Sequence, residues 1–283
     1  MPSGPDARPS LRAHEQRAIA EFVETRFGIQ MPPSKKALLE GRLAKRLVAC
    51  GAGSYGDYFD FITRNPAGRD EFLHFVDLVS THETSFFREE RHFDFLSRVV
   101  IPELCRDRGR KRLDVLCAAC SSGEEAYSIG MRIGLDRDNG GLGRFDFSIE
   151  GFDLSPRMIE VARRGVYAAT RVAKIPAGLA QPWLMRSKDP KRDLFRVVPE
   201  LRARTLFHEG NLLSDLDLRG DVYDIVFCRN VLIYFNRANQ KRALSALLAH
   251  LAPGGYLFLG HSESLGGSDL PARRIATGVF RKE

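Results

Sequence analysis

The sequence predicts an α/β fold in which an open, doubly wound sheet follows an N-terminal helical domain. The central observation is the stretch LDVLCAACSSGEEAYSIGM at residues 113–131, where a short apolar run precedes small or hydroxylic residues and then helix formers. This order is typical of a buried parallel strand, a tight loop and a helix, the first unit of a Rossmann-like sheet. Further apolar runs alternate with helical patterns, at residues 145–152, 205–208, 223–228 and 256–260. Such alternation indicates a mostly parallel sheet covered by helices.

The composition is typical of a globular protein and excludes a membrane-spanning one. Of the 283 residues, 43% are hydrophobic and 28% are charged. No apolar run approaches the roughly 18 residues that a membrane span requires, and the N-terminal MPSGPDARPS lacks the apolar core of a signal peptide. We therefore expect a cytoplasmic protein without direct membrane insertion. Lysine and arginine exceed aspartate and glutamate, 43 to 36, which permits nucleic acid or an acidic protein surface as a partner.

The five cysteines are expected to be reduced thiols. They are Cys50, Cys105, Cys117, Cys120 and Cys228, and buried thiols stay reduced in a cytoplasmic compartment. Cys117 and Cys120 form a C-x-x-C pair, but no second pair follows. Because a structural zinc site needs four ligands, the sequence predicts no metal site.

The N-terminal part predicts a disordered tail over residues 1–10 and a helical domain over residues 11–80. Three prolines and the lack of an apolar pattern indicate the tail. Ser10 is expected to cap the first helix, and Gly28 follows its end. The predicted helices cover residues 11–27, 34–49, 54–64 and 69–80.

Three basic residues of the second predicted helix form a stripe. At 100° per residue, Lys35, Arg42 and Arg46 fall within an arc of about 40°. This basic stripe predicts a substrate-docking surface for an acidic partner. A solvated helix face is the alternative, since charged residues are usual on helix exteriors.

Residues 81–111 are predicted to be a linker that carries one helix. This helix is expected from about residue 88 to residue 104, with an interruption near Pro102. Residues 106–112 contain five basic residues around one acid and one glycine, which is typical of a solvated connection. The sheet domain then covers residues 112–283.

A small antiparallel insertion is predicted within the sheet domain, at about residues 166–204. Several prolines and the charged turn at residues 187–193 break the alternation of strands and helices there. Beyond the insertion, we expect a helix over residues 237–251 and a strand over residues 278–281 that closes the edge of the sheet.

The loop after the first strand is the candidate ligand site. It lacks the G-x-G-x-x-G fingerprint of dinucleotide sites, and Glu124 and Glu125 would repel a phosphate group. A ligand with a positive centre and no phosphate fits better, and S-adenosylmethionine, with its ammonium and sulfonium groups, is such a ligand. Alternatively, the two glutamates only complement the dipole of the helix that they begin.

An acidic residue is predicted at the tip of the second strand. Asp153 follows the apolar run about 30 residues beyond the loop, where an acid can hold the two hydroxyls of a ribose. Ser155 and Pro156 then begin a helix as its cap and its first residue. The alternative is that Asp153 is itself a helix cap.

Four motifs together resemble the chemotaxis receptor methyltransferases of the CheR type. They are TSFFRE at residues 84–89, AACSSGEEAY at 118–127, FCRNVLIYF at 227–235 and PGGYLFLGHSESL at 253–265. They occur in the order that this family has, and the helical domain and the β insertion lie where the family has them. The resemblance runs from about residue 11 to the C-terminus.

This resemblance implies the sheet of an S-adenosylmethionine-dependent methyltransferase. It also implies an enzyme that esterifies glutamate side chains in the cytoplasmic domain of methyl-accepting chemoreceptors, giving methyl esters and S-adenosylhomocysteine. By similarity, Arg88 and Tyr234 are tied to catalysis. The residues that would contact the cofactor are Thr84, Arg88, Glu124, Asp153, Asn211, Leu212, Arg229 and Asn230.

The chain departs from the family pattern at two places. His82 stands where the family usually has asparagine, although an imidazole can still make one hydrogen bond. The turn of the β insertion, residues 187–193, has no glycine, so docking of a receptor peptide there is not expected.

Two other functions were weighed against receptor methylation. A nucleic-acid methyltransferase that acts on base amines places prolines after this strand, whereas residues 230–234 read NVLIY. A non-catalytic domain that only binds the cofactor is the second alternative. The presence of both Arg88 and Tyr234 argues against it.

Overall fold

The computed structural model describes residues 9–139, 141–142, 144–189, 191–214, 218, 222–265 and 269–283. The chain divides into two compact units. A helical unit contains the chain up to residue 81 together with residues 234–236, and a sheet unit contains residues 82–233 and 237–283. The predicted tail, except for its last two residues, lies outside the described residues.

The helical unit has the four predicted helices. They are α1 (Ala13–Phe27), α2 (Lys36–Cys50), α3 (Tyr55–Arg64) and α4 (Arg69–Val79). Their apolar faces form the core of this unit, with Ile19, Val23, Leu39, Leu43, Leu47, Tyr55, Tyr58 and Phe75 buried. Gly28 ends α1 in the left-handed conformation (φ 78°), as predicted.

The prediction that Ser10 caps α1 is wrong. Arg12 occupies the N-cap position, and its amide donates to the Glu15 carboxylate over 2.7 Å. Glu15 also accepts a hydrogen bond from the amide of Gly56 at the start of α3. The Glu15 carboxylate therefore accepts a hydrogen bond from a free amide at the start of α1. It also links α1 to α3.

The predicted interruption at Pro102 is also wrong. The sheet unit begins with α5 (Glu90–Phe95), which continues as two π-helical segments, Leu96–Val100 and Glu103–Asp107. Pro102 lies between these segments with helical dihedral angles (φ −57°, ψ −45°). Because a π turn shifts the hydrogen-bond partner by one residue, it accommodates a residue that has no N–H.

The first half of the sheet unit follows the prediction closely. It contains β1 (Arg112–Ala118), α6 (Glu124–Asp138), β2 (Asp146–Asp153) and α7 (Pro156–Arg164). Ser155 caps α7, as predicted, by accepting a hydrogen bond from the Met158 amide.

The predicted insertion is a separate three-stranded antiparallel sheet with the order β3-β5-β4. Its elements are β3 (Val166–Ala168), α8 (Ala169–Val172), β4 (Leu184–Arg186) and β5 (Leu194–Val197), followed by α9 (Pro199–Ala203). The Tyr167 hydroxyl donates to the carbonyl of Ser122 over 2.7 Å. The insertion thus contacts the loop after β1.

The remaining elements complete a seven-stranded sheet with the order β6-β2-β1-β7-β8-β10-β9. They are β6 (Thr205–Glu209), β7 (Tyr223–Cys228), α10 (Arg237–Ala249), β8 (Leu251–Leu259), β9 (Ala272–Ala276) and β10 (Val279–Lys282). The first five strands in the order are parallel, and β10 is antiparallel to both of its neighbours.

The strand order places a switch point between β1 and β7. The chain moves outward from β1 to β2 and β6 and then returns to the other side of β1 for β7 and β8. Ligands bind outside the carboxyl ends of the strands at such a point. The topology therefore predicts a ligand site at the carboxyl ends of β1 and β7.

Two predictions for the far side of the sheet are wrong. The strand predicted at the edge, β10, has neighbours on both sides, and β9 lies at the edge instead. Because β9 reads ARRIA and is mostly exposed, no apolar run marks it. The helix predicted to end at Leu251 is shorter, since Leu251 is already the first residue of β8. The register between β7 and β8 is irregular near Pro253.

Candidate active site

Unusual backbone conformations gather at the ends of β1 and β7. Among the described residues, five non-glycine residues have positive φ: Phe87, Glu89, Ala119, Ser121 and Asn230. They belong to three segments, one before α5, one after β1 and one after β7. Such conformations cost free energy and persist where the surrounding structure enforces them, often at functional sites. This clustering identifies the candidate site independently of any side chain.

Asp153 holds the loop after β1 from the tip of β2. One carboxylate oxygen accepts a hydrogen bond from the Ser121 amide over 2.8 Å, and the other accepts from the Ser155 amide over 3.0 Å. Ser155, not Asp153, is the N-cap of α7. Each carboxylate oxygen has further lone pairs, so the predicted contact with ribose hydroxyls is compatible with these bonds.

Glu124 is the first residue of α6 and is completely buried. The Ser122 hydroxyl donates to it over 2.7 Å, and Arg171 of the insertion forms an ion pair with it. Burial raises the pKa of Glu124, while these two partners act in the opposite direction. The insertion therefore helps to fix the predicted cofactor-binding glutamate.

Arg229 joins the acidic residues of two motifs. Its guanidinium donates to Glu125 over 2.8 Å, to Glu89 over 3.0 Å and to the backbone carbonyl of Arg88. The Arg229 side chain has no exposed surface. Burial raises the pKa of Glu89, but the charge of Arg229 and the hydrogen bonds from Asn230 and Arg229 together outweigh this effect, so the pKa lies below its ordinary value. Arg229 is thus the centre of a buried ionic network.

Glu263 fixes the segment after β7. Its two oxygens accept hydrogen bonds from the amides of Asn230 (2.8 Å), Leu232 (2.8 Å) and Gly260 (2.7 Å). The Asn230 side chain in turn donates to Glu89 over 3.2 Å. One carboxylate therefore sets the left-handed turn from which Asn230 projects.

Sequence reasoning assigned no contact partner to three site residues: Glu89, Glu263 and Glu125, of which only Glu125 was considered, as an acid of the loop after β1. All three lie inside the quoted motifs. Their contacts with Arg229 and with the Asn230 amide join residues 33 to 140 positions apart, so local spacing carries no signal of these contacts. The one sequence signal for these residues is that each lies in one of the motifs that form the site.

The other predicted cofactor residues, Thr84, Arg88, Asn211 and Leu212, lie in the segments before α5 and after β6. The Arg88 guanidinium, which is partly exposed, donates to the Glu83 carbonyl over 3.0 Å. Asn211 and the buried Leu212 follow β6, where the Gly210 amide donates to the Asp153 carbonyl. Thr84 is partly exposed, and the nearby His82 accepts a hydrogen bond from the Ser121 hydroxyl through its carbonyl.

Tyr234 belongs to the helical unit. Its carbonyl accepts a hydrogen bond from the Gln30 amide, and the Lys35 ammonium lies 5.7 Å from the centre of its ring. Its predicted role in catalysis stays a prediction.

All three residues of the basic stripe make contacts within the helical unit. Lys35 donates to the Gln30 carbonyl, and Arg42 donates to the carbonyls at the end of α4. Arg46 forms a bidentate ion pair with Glu71, which is buried. The stripe is therefore only partly exposed, and its docking role stays a prediction.

The charges of the site fit a cationic ligand. The carboxylates of Glu89 and Glu125 share the one guanidinium of Arg229, and the nearby Glu263 carboxylate is bonded to backbone amides, so these acids outnumber the cation. A phosphate-bearing ligand would be repelled there, whereas an ammonium or a sulfonium would be attracted. The residues present thus fit S-adenosylmethionine.

Comparison with known families gives the same assignment. A family model described as "CheR methyltransferase, SAM binding domain" matches residues 82–278, and one described as "CheR methyltransferase, all-alpha domain" matches residues 14–80. The two matches correspond in sequence to most of the sheet unit and most of the helical unit.

Several curated proteins are similar over most of their length. The chain is 40% identical to Chemotaxis protein methyltransferase Cher2 of Pseudomonas putida, over 87% of this chain and 88% of that protein. It is 37% identical to Chemotaxis protein methyltransferase 1 of Pseudomonas aeruginosa, over 86% and 88%. It is 36% identical to Chemotaxis protein methyltransferase 2 of the same organism, over 93% and 90%.

These findings confirm the predicted fold class, enzyme class and cofactor, and they do not favour the two alternative functions. Among the described residues, no helix is both long and apolar enough to span a membrane. With its acid-rich site at the switch point and both family domains matched, the chain belongs to the CheR family of S-adenosylmethionine-dependent methyltransferases.

Proposed function

We propose that this enzyme methylates glutamate side chains in the cytoplasmic domain of chemoreceptors and works in the cytoplasm. The products would be glutamyl methyl esters and S-adenosylhomocysteine. The main support is that the similarity covers the helical domain as well as the methyltransferase domain. A shared cofactor fold alone would leave the substrate open, because one fold serves many substrates.

The methyl transfer does not require a proton-transfer residue of the protein. A surface glutamate has a pKa near 4.3 and is ionised at neutral pH, so no general base is needed. The bound cofactor supplies an electrophilic methyl group next to a sulfonium. Because the acceptor is an anion, water that solvates it slows the reaction. The enzyme therefore has to orient the carboxylate and exclude water.

Arg88 is the residue that we assign to orientation of a carboxylate. Its guanidinium is a planar fork that matches two carboxylate oxygens, and it is partly exposed at the edge of the site. Either the cofactor's own carboxylate or the incoming glutamate can be its partner. We assign Tyr234 to the acceptor side of the reaction.

The direct test is incubation of the purified enzyme with methyl-labelled cofactor and receptor-containing membranes. We expect label in the receptor that alkali releases as methanol, because glutamyl esters are base-labile. Membranes without receptors and DNA or RNA oligonucleotides are the controls. Label in the oligonucleotides, or none in any of several receptors, would contradict the proposal.

A second test addresses the basic stripe as the docking surface. Because Arg46 pairs with buried Glu71, we would neutralise only Lys35 and Arg42, each replaced by glutamine. We expect receptor binding to weaken about fivefold at low salt, from roughly 0.5 kcal/mol for each exposed ion pair, and the difference to vanish at high salt. Lys45→Gln on the same helix is the matched control, since Lys45 is exposed. Equal affinities of the double variant and the wild type at low salt would rule out this surface.

A further inference from the structure

We propose that Glu89, His92 and His261 form a binding site for a divalent transition-metal ion such as Zn²⁺. Two imidazole nitrogens and one carboxylate oxygen are a donor set that these ions prefer. No metal site was predicted from the sequence, since its single C-x-x-C pair does not supply the four ligands of a structural zinc site. Two of these ligands lie one helical turn apart, and the third comes from a segment 169 residues beyond His92.

The distances between the three ligand atoms are close to those of a metal site. His92 Nδ1 lies 3.5 Å from Glu89 Oε2, and His261 Nε2 lies 3.9 Å from the same oxygen. All three atoms lie within 4.8 Å of one another. In a tetrahedral site with metal–ligand distances of about 2.1 Å, neighbouring ligand atoms are about 3.4 Å apart. The side chain of His261 is 42% exposed and therefore has room to move towards this geometry.

His92 presents a lone pair that lacks a partner. Its side chain is only 2% exposed, and its Nε2 lies 3.2 Å from the carbonyl of Thr277. A carbonyl only accepts, so Nε2 carries the hydrogen and Nδ1 carries the lone pair. Among the described residues, Nδ1 has no hydrogen-bond partner, although it faces the Glu89 carboxylate. Two acceptors that face each other in a buried place call for a cation between them.

The local charge favours a bound cation, since the carboxylates of Glu89 and Glu125 share the one guanidinium of Arg229.

Hydrogen bonds from surrounding groups also orient two of the ligands, as is usual for metal ligands. The Thr277 carbonyl orients His92, while Arg229 and Asn230 hold the two oxygens of Glu89. The rings of His92 and His261 pack edge to face with centres 4.8 Å apart. Of the three ligands, His261 has the most exposed side chain, so an ion can enter the site from its side.

The test is a titration of the full-length protein after removal of metal with a chelator and desalting. We expect calorimetry to show one Zn²⁺ bound per chain. We also expect Co²⁺ to give the intense visible absorption of a four-coordinate site. His261→Ala is expected to weaken Zn²⁺ binding at least tenfold without loss of thermal stability, because the residue is exposed.

His74→Ala is the matched control, since His74 is an exposed histidine in the other unit. We expect it to bind Zn²⁺ as the wild type does. Absence of stoichiometric binding in the wild type would overturn the proposal. So would equal binding by wild type and His261→Ala, which would place the ion elsewhere, for example at the partly exposed thiol of Cys50.

Discussion

The variant Arg88→Ala is expected to lose at least about 100-fold in methyl transfer while its thermal unfolding stays like that of the wild type. The loss follows from removal of a charge-assisted, bidentate contact with a carboxylate, which stabilises by about 3 kcal/mol, and each 1.4 kcal/mol corresponds to a factor of ten. The fold should persist because the side chain is partly exposed and, among the described residues, donates to the Glu83 carbonyl alone. The measurement is the rate of formation of base-labile methyl esters on receptor membranes.

Arg88→Lys is the control for this variant. Lysine keeps the positive charge but lacks the planar fork, so we expect an intermediate rate. Calorimetry with S-adenosylhomocysteine then separates the two possible partners of Arg88. Weaker binding of this product by Arg88→Ala would assign Arg88 to the cofactor carboxylate, and unchanged binding would assign it to the substrate. Turnover of Arg88→Ala at the wild-type rate would refute a catalytic role.

The variant Arg229→Met is expected to lose about 3–5 kcal/mol of unfolding free energy. Methionine fills a similar volume, but the change leaves the carboxylates of Glu89 and Glu125 without their shared cation, and an unpaired charge in a buried place is costly. Urea unfolding of both proteins at pH 8 measures the difference. Arg164→Met, which removes an exposed ion pair with Glu160, is the control and should cost less than about 1 kcal/mol.

The pH dependence of this loss gives a second check. Burial already raises the pKa of Glu125, and removal of the Arg229 charge would raise it further. A carboxyl group whose pKa is higher in the folded state favours folding when it is protonated. The variant is therefore expected to regain stability as the pH falls from 8 to 5. A loss that is the same at both pH values would mean that packing, not charge, is responsible.

Much of the fold could be predicted because its signals are local. The apolar run of β7 was predicted with its observed boundaries, and Gly28 and Ser155 were recognised at the helix ends that they terminate and cap. The errors occurred where local signals were overruled. A carboxylate from α1 displaced the predicted cap, and the edge strand β9 carries charges instead of an apolar run.

The sequence alone determined the family, the α/β fold, the class of the methyl donor and the loop to which the donor is drawn. It could do so because short motifs and the periodicity of apolar residues are properties of neighbouring positions. The tertiary structure decided which acids share Arg229, that Glu263 holds the turn at Asn230, and that His92 and His261 face one carboxylate. Apart from Glu89 and His92, which are three positions apart, these contacts join residues 33 to 172 positions apart, and only the packing of the strands brings such residues together.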